Sequence, residues 1–221
     1  MPAGTGRSES TLDRARQDII TALEAGDEAR LRGLVFSLYL GGHTAVDICD
    51  LLLAPAFQEL GARWQHGALE VYEERRGCEI CLRVLYQLRQ SLPTIPAEAP
   101  RAIGATLEGD PYMLPTAMVA IALREAGWNA ESYGCWHPAE TLEAAVREER
   151  PRLLWISVST LDDAEAFVAR YTSLYHSAVA SGVAVAVGGR ALTEPLRRRI
   201  EYSAYGDCLR HLVAFVATLR A

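Results

Sequence analysis

The feature that most constrains the fold of this chain is a change in hydrophobic periodicity after residue 92. From residue 11 to residue 92, apolar residues recur at spacings of three and four, which predicts helices. From residue 101 onward, short apolar runs alternate with helical stretches, which predicts repeated strand–helix units. Between the two regions, Pro93, Pro96 and Pro100 cannot continue a helix and indicate a linker. The sequence therefore predicts a helical domain followed by an α/β domain.

The helical domain is predicted to contain four helices joined by short loops, which is typical of a small bundle. We expect them at residues 12–25, 27–41, 44–64 and 71–92. In the third helix, Ile48, Leu51 and Leu52 are expected to face inward. The whole chain is then organised as a flexible N-terminus (1–10), a helical bundle (11–92), a Pro-rich linker (93–100) and an α/β domain (101–221).

In the α/β domain the alternation predicts a five-stranded parallel sheet with right-handed crossovers, a Rossmann-like (flavodoxin-like) fold. The strands are expected at 102–107, 129–134, 153–158, 183–187 and 201–204. The helices are expected at 114–126, 139–149, 162–180 and 207–219.

Composition excludes several classes of function. The net charge is −6, which argues against direct nucleic-acid binding. The 22 basic residues are all arginines, which excludes a Schiff-base lysine and a P-loop lysine. No apolar run is long enough to span a membrane, and the five cysteines follow no disulfide framework. We therefore expect a cytoplasmic protein without a membrane segment.

Small and charged residues follow two of the predicted strands. Ser157 and Ser159 follow the third strand, and their hydroxyls are suited to hydrogen-bond a ligand. Gly188 and Gly189 follow the fourth strand and permit close approach, while Arg190 is suited to bind phosphate. Each has a plain structural alternative, a satisfied core hydroxyl or a simple turn. Their joint occurrence at successive strand ends favours a ligand site.

The turn after the first strand resembles a motif of cobalamin-binding domains. Those domains carry Asp-x-His-x-x-Gly at this turn, and the His coordinates cobalt from below. Here Asp110 stands in the position of the acid, Tyr112 replaces the His and Pro115 replaces the Gly.

The helical domain carries a second resemblance. Trp64 is followed after nine residues by Glu74 and Arg75, close to a Trp-(nine residues)-Glu-His signature. In both halves the chain resembles the photosensory part of CarH- and LitR-type regulators and the photocobilins. The resemblance implies that cobalamin, as adenosylcobalamin, is the cofactor. It further implies that Trp64 packs on the upper axial group, that Glu74 contacts it, and that the ligand lies between the bundle and the sheet.

The chain departs from this family at its histidines. Gln65 stands where the light-dependent repressors have a His after the Trp, with His66 one place further on. Tyr112 stands where the lower ligand is expected, and a neutral phenol is a poor cobalt ligand at pH 7. No confident metal ligand is therefore predicted, although Tyr112 should face the cobalt position. Three alternatives for the bound ligand remain open. They are cobalamin with its own benzimidazole retained, cobalamin without a lower ligand, and another tetrapyrrole such as a bilin or heme.

A second chromophore is one further interpretation. Biliverdin is expected beside cobalamin in photocobilin-type sensors. Arg75 is suited to pair with a bilin propionate, and His66 to hydrogen-bond a pyrrole ring. The alternative is an ion pair between Arg75 and Glu70 or Glu79 on the same helix.

Two stretches of the sequence contain further candidate cysteines. Cys78 and Cys81 have metal-like spacing but lie in mid-helix without a second ligand pair, which argues against structural zinc. The run from Cys135 through Trp136 to His137 follows the second strand, where the related proteins often have smaller polar residues. It is either part of the ligand site or a solvent-facing loop.

These observations predict a non-enzymatic light sensor or signalling module. The residues before the first predicted helix are too few for a helix-turn-helix, so we expect no direct contact with nucleic acid. The output would be a dimer or tetramer of this chain or a downstream protein partner. The alternatives are a corrinoid carrier subunit of a methyltransferase system, or a heme- or bilin-binding sensor that has lost cobalamin. The lower-ligand replacement at Tyr112 counts against the carrier.

Overall fold

The computed structural model describes residues 5–219, with side chains from residue 11 onward. The chain divides into two compact units, one ending at Leu92 and the other beginning at Pro93. In the helical unit the elements are α1 (Thr5–Ala25), α2 (Glu28–Leu40), α3 (Ala45–Ile48), a π-helical segment (Cys49–Leu53), α4 (Ala54–Gln65) and α5 (Val71–Gln90). In the α/β unit they are β1 (Arg101–Ala105), α6 (Met113–Glu125), β2 (Asn129–Ser132), α7 (Ala139–Glu149), β3 (Leu153–Ser157), α8 (Ala164–Ala180), β4 (Ala184–Gly188), α9 (Glu194–Arg197), β5 (Ala204–Gly206) and α10 (Leu209–Thr218).

The N-terminus differs from the expectation of ten flexible residues. Helix α1 begins at Thr5 rather than at residue 12, so residues 5–10 are helical. Residues 1–4 lie outside the described part of the chain.

Capping residues fix the starts of the next two helices. The Asp27 carboxylate accepts from the backbone N–H of Arg30 at 2.9 Å at the start of α2. Thr44 and Asp47 form a reciprocal capping box at the start of α3. Such caps satisfy backbone donors that have no partner within the helix.

The third predicted helix is continuous from α3 through the π-helical segment to α4, so four helical rods form the unit. Ile48, Leu52 and Leu53 are buried, as an inward face requires. Leu51 was expected to be buried as well, and this was wrong, because its side chain is 38% exposed. A π-helical turn holds more residues than an α-helical turn, so the spacing used to assign the inward face does not apply there.

The sheet of the α/β unit is wholly parallel, with strand order β2-β1-β3-β4-β5. This order confirms the expected Rossmann-like (flavodoxin-like) fold. Strand order reverses between β1 and β3, and ligands of such sheets bind outside the carboxyl ends of the strands at this switch point. Both faces of the sheet are covered, one by a core that includes residues of α7 and α8, and the other by residues of α6 and α10.

Two short elements depart from the predicted boundaries. Strand β5 begins at Ala204, three residues later than expected, and it pairs with Ala186, Val187 and Gly188 of β4. Helix α9 was not predicted, since four residues with a proline at the start show no helical period. Among the described residues, no helix is long and apolar enough to cross a membrane.

Candidate functional site

The turn after β1 is tied to the end of β3 by the side chain of Asp110. One carboxylate oxygen accepts from the backbone N–H of Tyr112 at 3.0 Å, and the other accepts from that of Ser159 at 2.5 Å. The Thr106 hydroxyl donates to the Asp110 carbonyl oxygen at 2.6 Å. The buried Asp110 side chain therefore connects the loop after β1 to the loop after β3 at the switch point.

Burial raises the pKa of Asp110 above its usual value. The backbone donors of Ser159, Tyr112 and Thr160 oppose that shift, as does the charge of Arg190. Because both oxygens accept hydrogen bonds from N–H groups, the turn is built around the ionised carboxylate.

Arg190 reaches across to the same turn. Its Nε donates to the Ser159 carbonyl oxygen at 3.0 Å, and its guanidinium carbon lies 5.6 Å from the centroid of the Tyr112 ring. This is within the range of a cation–π contact. The structure thus brings Asp110, Tyr112, Ser159 and Arg190 together, although they come from three different loops.

The hydroxyl of Ser159 is the most direct indication of a ligand-binding site. It is buried and has no hydrogen-bond partner among the described residues. An unsatisfied buried hydroxyl is costly, so such a group is expected to meet a ligand or a water. Ser157 is also buried and pairs with Gly188 across β3 and β4. The residues at this edge therefore fit a ligand that carries hydrogen-bonding groups, as the amide-rich corrinoids do.

The two glycines after β4 are required by the protein's own backbone. A Cβ on Gly188 would lie 2.9 Å from the Gly206 carbonyl oxygen. A Cβ on Gly189 would lie 2.2 Å from the Val158 carbonyl oxygen, and Gly189 has φ +124°. Since close packing of neighbouring strand ends explains both glycines, they give no separate indication of a ligand.

Trp155 was not identified from the sequence as a residue near the site. It lies in β3, and its indole covers Gly104 of β1, where a Cβ would approach the ring to 2.1 Å. Its Nε1 donates to the Thr116 hydroxyl of α6 at 2.9 Å. The interior next to the β1 turn is thus filled by an indole. The sequence does contain a signal for this contact, because Gly104 in one predicted strand and Trp155 in its neighbour allow the indole to pack on the glycine.

The loop between β2 and α7 borders the β1 turn. The backbone N–H of Trp136 donates to the Thr106 hydroxyl at 3.0 Å, and that of His137 donates to the Thr106 carbonyl oxygen at 3.1 Å. Burial and the nearby charge of Asp110 raise the pKa of the Cys135 thiol, which is therefore protonated at neutral pH. This loop is part of the same edge of the sheet as Asp110.

In the helical unit, the residues with family resemblance lie at the connection between α4 and α5. Trp64 is 41% exposed near the end of α4, and Gln65 next to it is exposed. His66 ends the helix, with its Nδ1 2.7 Å from the Ala62 carbonyl oxygen. A large apolar side chain exposed at this connection is available to contact a ligand.

Glu74 and Arg75 lie in the first turns of α5. The Glu74 carboxylate is mostly buried, and its oxygens lie 3.5 Å from the Cys78 Sγ and 3.7 Å from the Arg75 Nε. Arg75 had been expected to pair with Glu70 or Glu79 if it bound no ligand. An ion pair forms instead with its sequence neighbour, while Glu70 forms a capping box with Glu73.

The two cysteines of α5, half-buried Cys78 and buried Cys81, are not reactive groups. Burial and the neighbouring Glu74 raise the pKa of Cys78 to about 12, and burial raises that of Cys81 as well. Within the described residues, no three His, Cys, Asp or Glu side chains are grouped to hold a metal ion. Both thiols are therefore protonated at neutral pH and pack as small apolar groups.

Comparison with known proteins gives matches in both units. Residues 100–208 match the family described as B12 binding domain, and residues 15–89 match a second family of the same description. The chain is 27% identical over 192 residues to the HTH-type transcriptional repressor CarH of Myxococcus xanthus, covering 86% of this chain and 63% of that protein. It is 27% identical over 214 residues to the repressor CarA of the same organism, covering 94% and 69%. The chain thus spans about two thirds of the length of these curated relatives.

The fold also matches a solved corrinoid protein. The structure of the Methanosarcina barkeri monomethylamine corrinoid protein superposes with a TM-score of 0.75 at 16% identity, over 95% of this chain and 99% of that one. At this identity the likeness establishes the fold. With a B12-binding domain matched in each of its two units, the chain is a cobalamin-binding protein.

Proposed function

We propose that this chain is a light sensor or signalling module that binds adenosylcobalamin. The observation that carries the proposal is that Trp64 and Glu74 occur at the signature spacing in the sequence. They lie within a helical unit that matches a B12 binding domain. Bound adenosylcobalamin supplies a cobalt–carbon bond that light can break. The work of the protein is to bind the cofactor, to shield its axial group and to convert the change into a signal.

Different residues serve different parts of the ligand in this proposal. Trp64 packs on the upper axial group, and Glu74 contacts it from the start of α5. In the α/β unit, Tyr112 faces the cobalt position, and Ser157, Ser159 and Gly189 contact the corrinoid. The buried Ser159 hydroxyl without a protein partner supports this assignment, since a ligand amide would satisfy it.

We propose further that this chain supplies no imidazole to cobalt, so that bound cobalamin would keep its own benzimidazole or have no lower ligand. Tyr112 offers a phenol where the related proteins have an imidazole, and Arg190 lies over its ring. The guanidinium of Arg190 occupies the side of the Tyr112 ring that it covers. Next to the turn, Trp155 fills the interior over Gly104, so a planar base has little room there.

The output is proposed to be a change of assembly, either a dimer or tetramer of this chain or the binding of a downstream protein. A corrinoid carrier would rely on a lower imidazole to manage the redox states of cobalt, and Tyr112 argues against that role. Loss of the same imidazole favours one alternative, a heme- or bilin-binding sensor that no longer binds cobalamin.

The test begins with protein purified in the dark and offered adenosylcobalamin, heme and biliverdin separately. We expect a corrinoid spectrum that survives gel filtration, changes on illumination, and is accompanied by a change in molar mass measured by light scattering. Trp64→Ala should alter the light response, whereas Tyr86→Ala, an exposed aromatic further along α5, should not. A stable corrinoid spectrum with no change in light would contradict the sensor. Uptake of heme or biliverdin alone would support the alternative.

A further inference from the structure

Trp136 has a backbone conformation that a bulky residue rarely adopts. Its φ is +66°, in the left-handed region that favours glycine. A large side chain there costs free energy, and such strain persists only where surrounding contacts enforce it. Contacts around Trp136 must therefore hold its backbone in this conformation.

Hydrogen bonds on both sides of Trp136 enforce the conformation. Thr106 receives the backbone N–H groups of Trp136 and His137, and its own N–H donates to the Gly134 carbonyl oxygen at 3.1 Å. The His137 Nε2 lies 2.8 Å from the Tyr133 carbonyl oxygen. The loop is thus fixed to the end of β1, and the direction of the Cα–Cβ bond of Trp136 is fixed with it.

Core packing does not explain the strain. The Trp136 side chain is 56% exposed, whereas Trp128 and Trp155 of the same unit are almost fully buried. A large aromatic side chain that is exposed to water at a strained backbone position gains little for folding. It is the kind of residue that is pre-organised for a ligand.

Hydrogen bonds connect the Trp136 loop to the candidate site. The Thr106 hydroxyl that accepts from Trp136 also donates to Asp110, so one side chain links the indole loop to the candidate site. A Cβ on Gly134 would lie 3.7 Å from the Met113 side chain, next to Tyr112. The loop therefore borders the edge of the sheet where the corrinoid is proposed to bind.

We infer that Trp136 is a binding residue for the corrinoid, with the indole packed against the rim of the macrocycle. This rests on the proposed binding at the carboxyl ends of the strands. An indole offers a broad apolar face and one N–H donor, which match the methyl groups and amide carbonyls around a corrin. It carries no charge, which argues against a phosphate as the group it contacts.

The test is the dissociation constant of the full chain for adenosylcobalamin, measured by equilibrium dialysis in the dark. Trp136→Gly should weaken binding on the order of tenfold, as loss of a buried aromatic contact does. Trp136→Phe should weaken it less. Tyr202→Ala is the matched control, since Tyr202 is also an exposed aromatic residue. It precedes β5, the strand at the other side of the sheet from β2, which Trp136 follows.

Thermal unfolding separates a binding role from a structural one. Glycine adopts φ +66° without strain, so Trp136→Gly should leave the melting temperature unchanged or raise it. Unchanged affinity in Trp136→Gly, or a melting temperature several degrees lower, would overturn the inference. If the unmodified chain binds no cobalamin at all, the proposed function itself fails, and the inference fails with it.

Discussion

The guanidinium carbon of Arg190 lies 5.6 Å from the centroid of the Tyr112 ring, while the Nε of the same side chain donates to the Ser159 carbonyl oxygen. One arginine thus connects the residue that replaces a cobalt-ligating histidine with the loop that anchors Asp110. Because these groups interact, a change at one should be measurable at another.

Replacing Arg190 with Gln should raise the pKa of Asp110 further. The Arg190 charge is one of the groups that lower this pKa, and its removal leaves the burial of the carboxyl less opposed. The measurement is an NMR titration of the Asp110 side-chain carboxyl. Arg170→Gln is the control, because Arg170 pairs with Glu108 at 3.4 Å. An unchanged Asp110 titration in Arg190→Gln would contradict the prediction.

Asp110 should also make folding stability depend on pH. Its pKa is raised in the folded state, so the folded protein holds the proton to higher pH than the unfolded chain does. Its contribution to the free energy of unfolding should therefore fall as pH rises from the ordinary carboxyl pKa through the raised folded value. Urea unfolding at a series of pH values should show this slope, and Asp110→Asn should remove it. A contribution that instead grows with pH in this interval would be the contrary result.

Tyr112→His should move the spectrum of bound cobalamin towards that of an imidazole-ligated form. The substitution restores the ligand type that this turn carries in related proteins, and imidazole binds cobalt far better than a neutral phenol does. Absorption spectra of the bound cobalamin, and electron paramagnetic resonance spectra after its reduction to the paramagnetic Co(II) form, report the change. Tyr112→Phe, which removes only the hydroxyl, should give the same cobalamin spectrum as the unmodified protein. If Tyr112→His shifts neither spectrum, Tyr112 does not face the metal.

Gly189→Ala should destabilise the fold by at least about 3 kcal/mol, since the new Cβ meets backbone at a strained φ. That Cβ would lie 2.2 Å from the Val158 carbonyl oxygen. Gly33→Ala is a matched control in the middle of α2, where a Cβ meets nothing within 4 Å. There alanine should stabilise by roughly 0.5–1 kcal/mol because glycine is the poorer helix former. Chemical denaturation of both variants distinguishes the two outcomes.

A biliverdin titration of the cobalamin-loaded protein tests the second chromophore. If Arg75 pairs with a propionate, saturable red absorbance should appear and Arg75→Ala should weaken it. The competing ion pair with Glu74 is exposed on the Arg75 side and is worth little, so it should not prevent the contact. Arg83→Ala, on the same helix and paired with Glu28, should have no effect. No uptake of biliverdin by the unmodified protein would leave cobalamin as the single chromophore.

The sequence predicted the parts of the fold that depend on burial. The run of apolar residues around Trp155 defines β3 almost to the residue, since every position of that strand is buried. Strand β5 was misplaced because Ala204, Tyr205 and Gly206 are only half-buried and show little contrast with their neighbours.

The site was predictable in position but not in its internal contacts. The ends of β1, β3 and β4 follow from the fold, so the loops of Asp110, Ser159 and Arg190 were identified. Sequence spacing gave no sign that Arg190 lies over Tyr112, because the contact depends on side-chain directions across loops. The strain at Trp136 was equally invisible, since it comes from hydrogen bonds made by Thr106.

The π-helical segment Cys49–Leu53 determines how α4, which follows it directly, is rotated about the helix axis. Each residue of an α-helix advances the side chains by about 100° around the axis. A π-helical turn takes up one residue more than an α-helical turn, so Ala56 and Leu60 still face the core in which they are buried despite the extra residue. The direction of the exposed indole of Trp64, near the end of α4, therefore depends on this wide turn, because the same residues in a continuous α-helix would rotate α4 by about 100°.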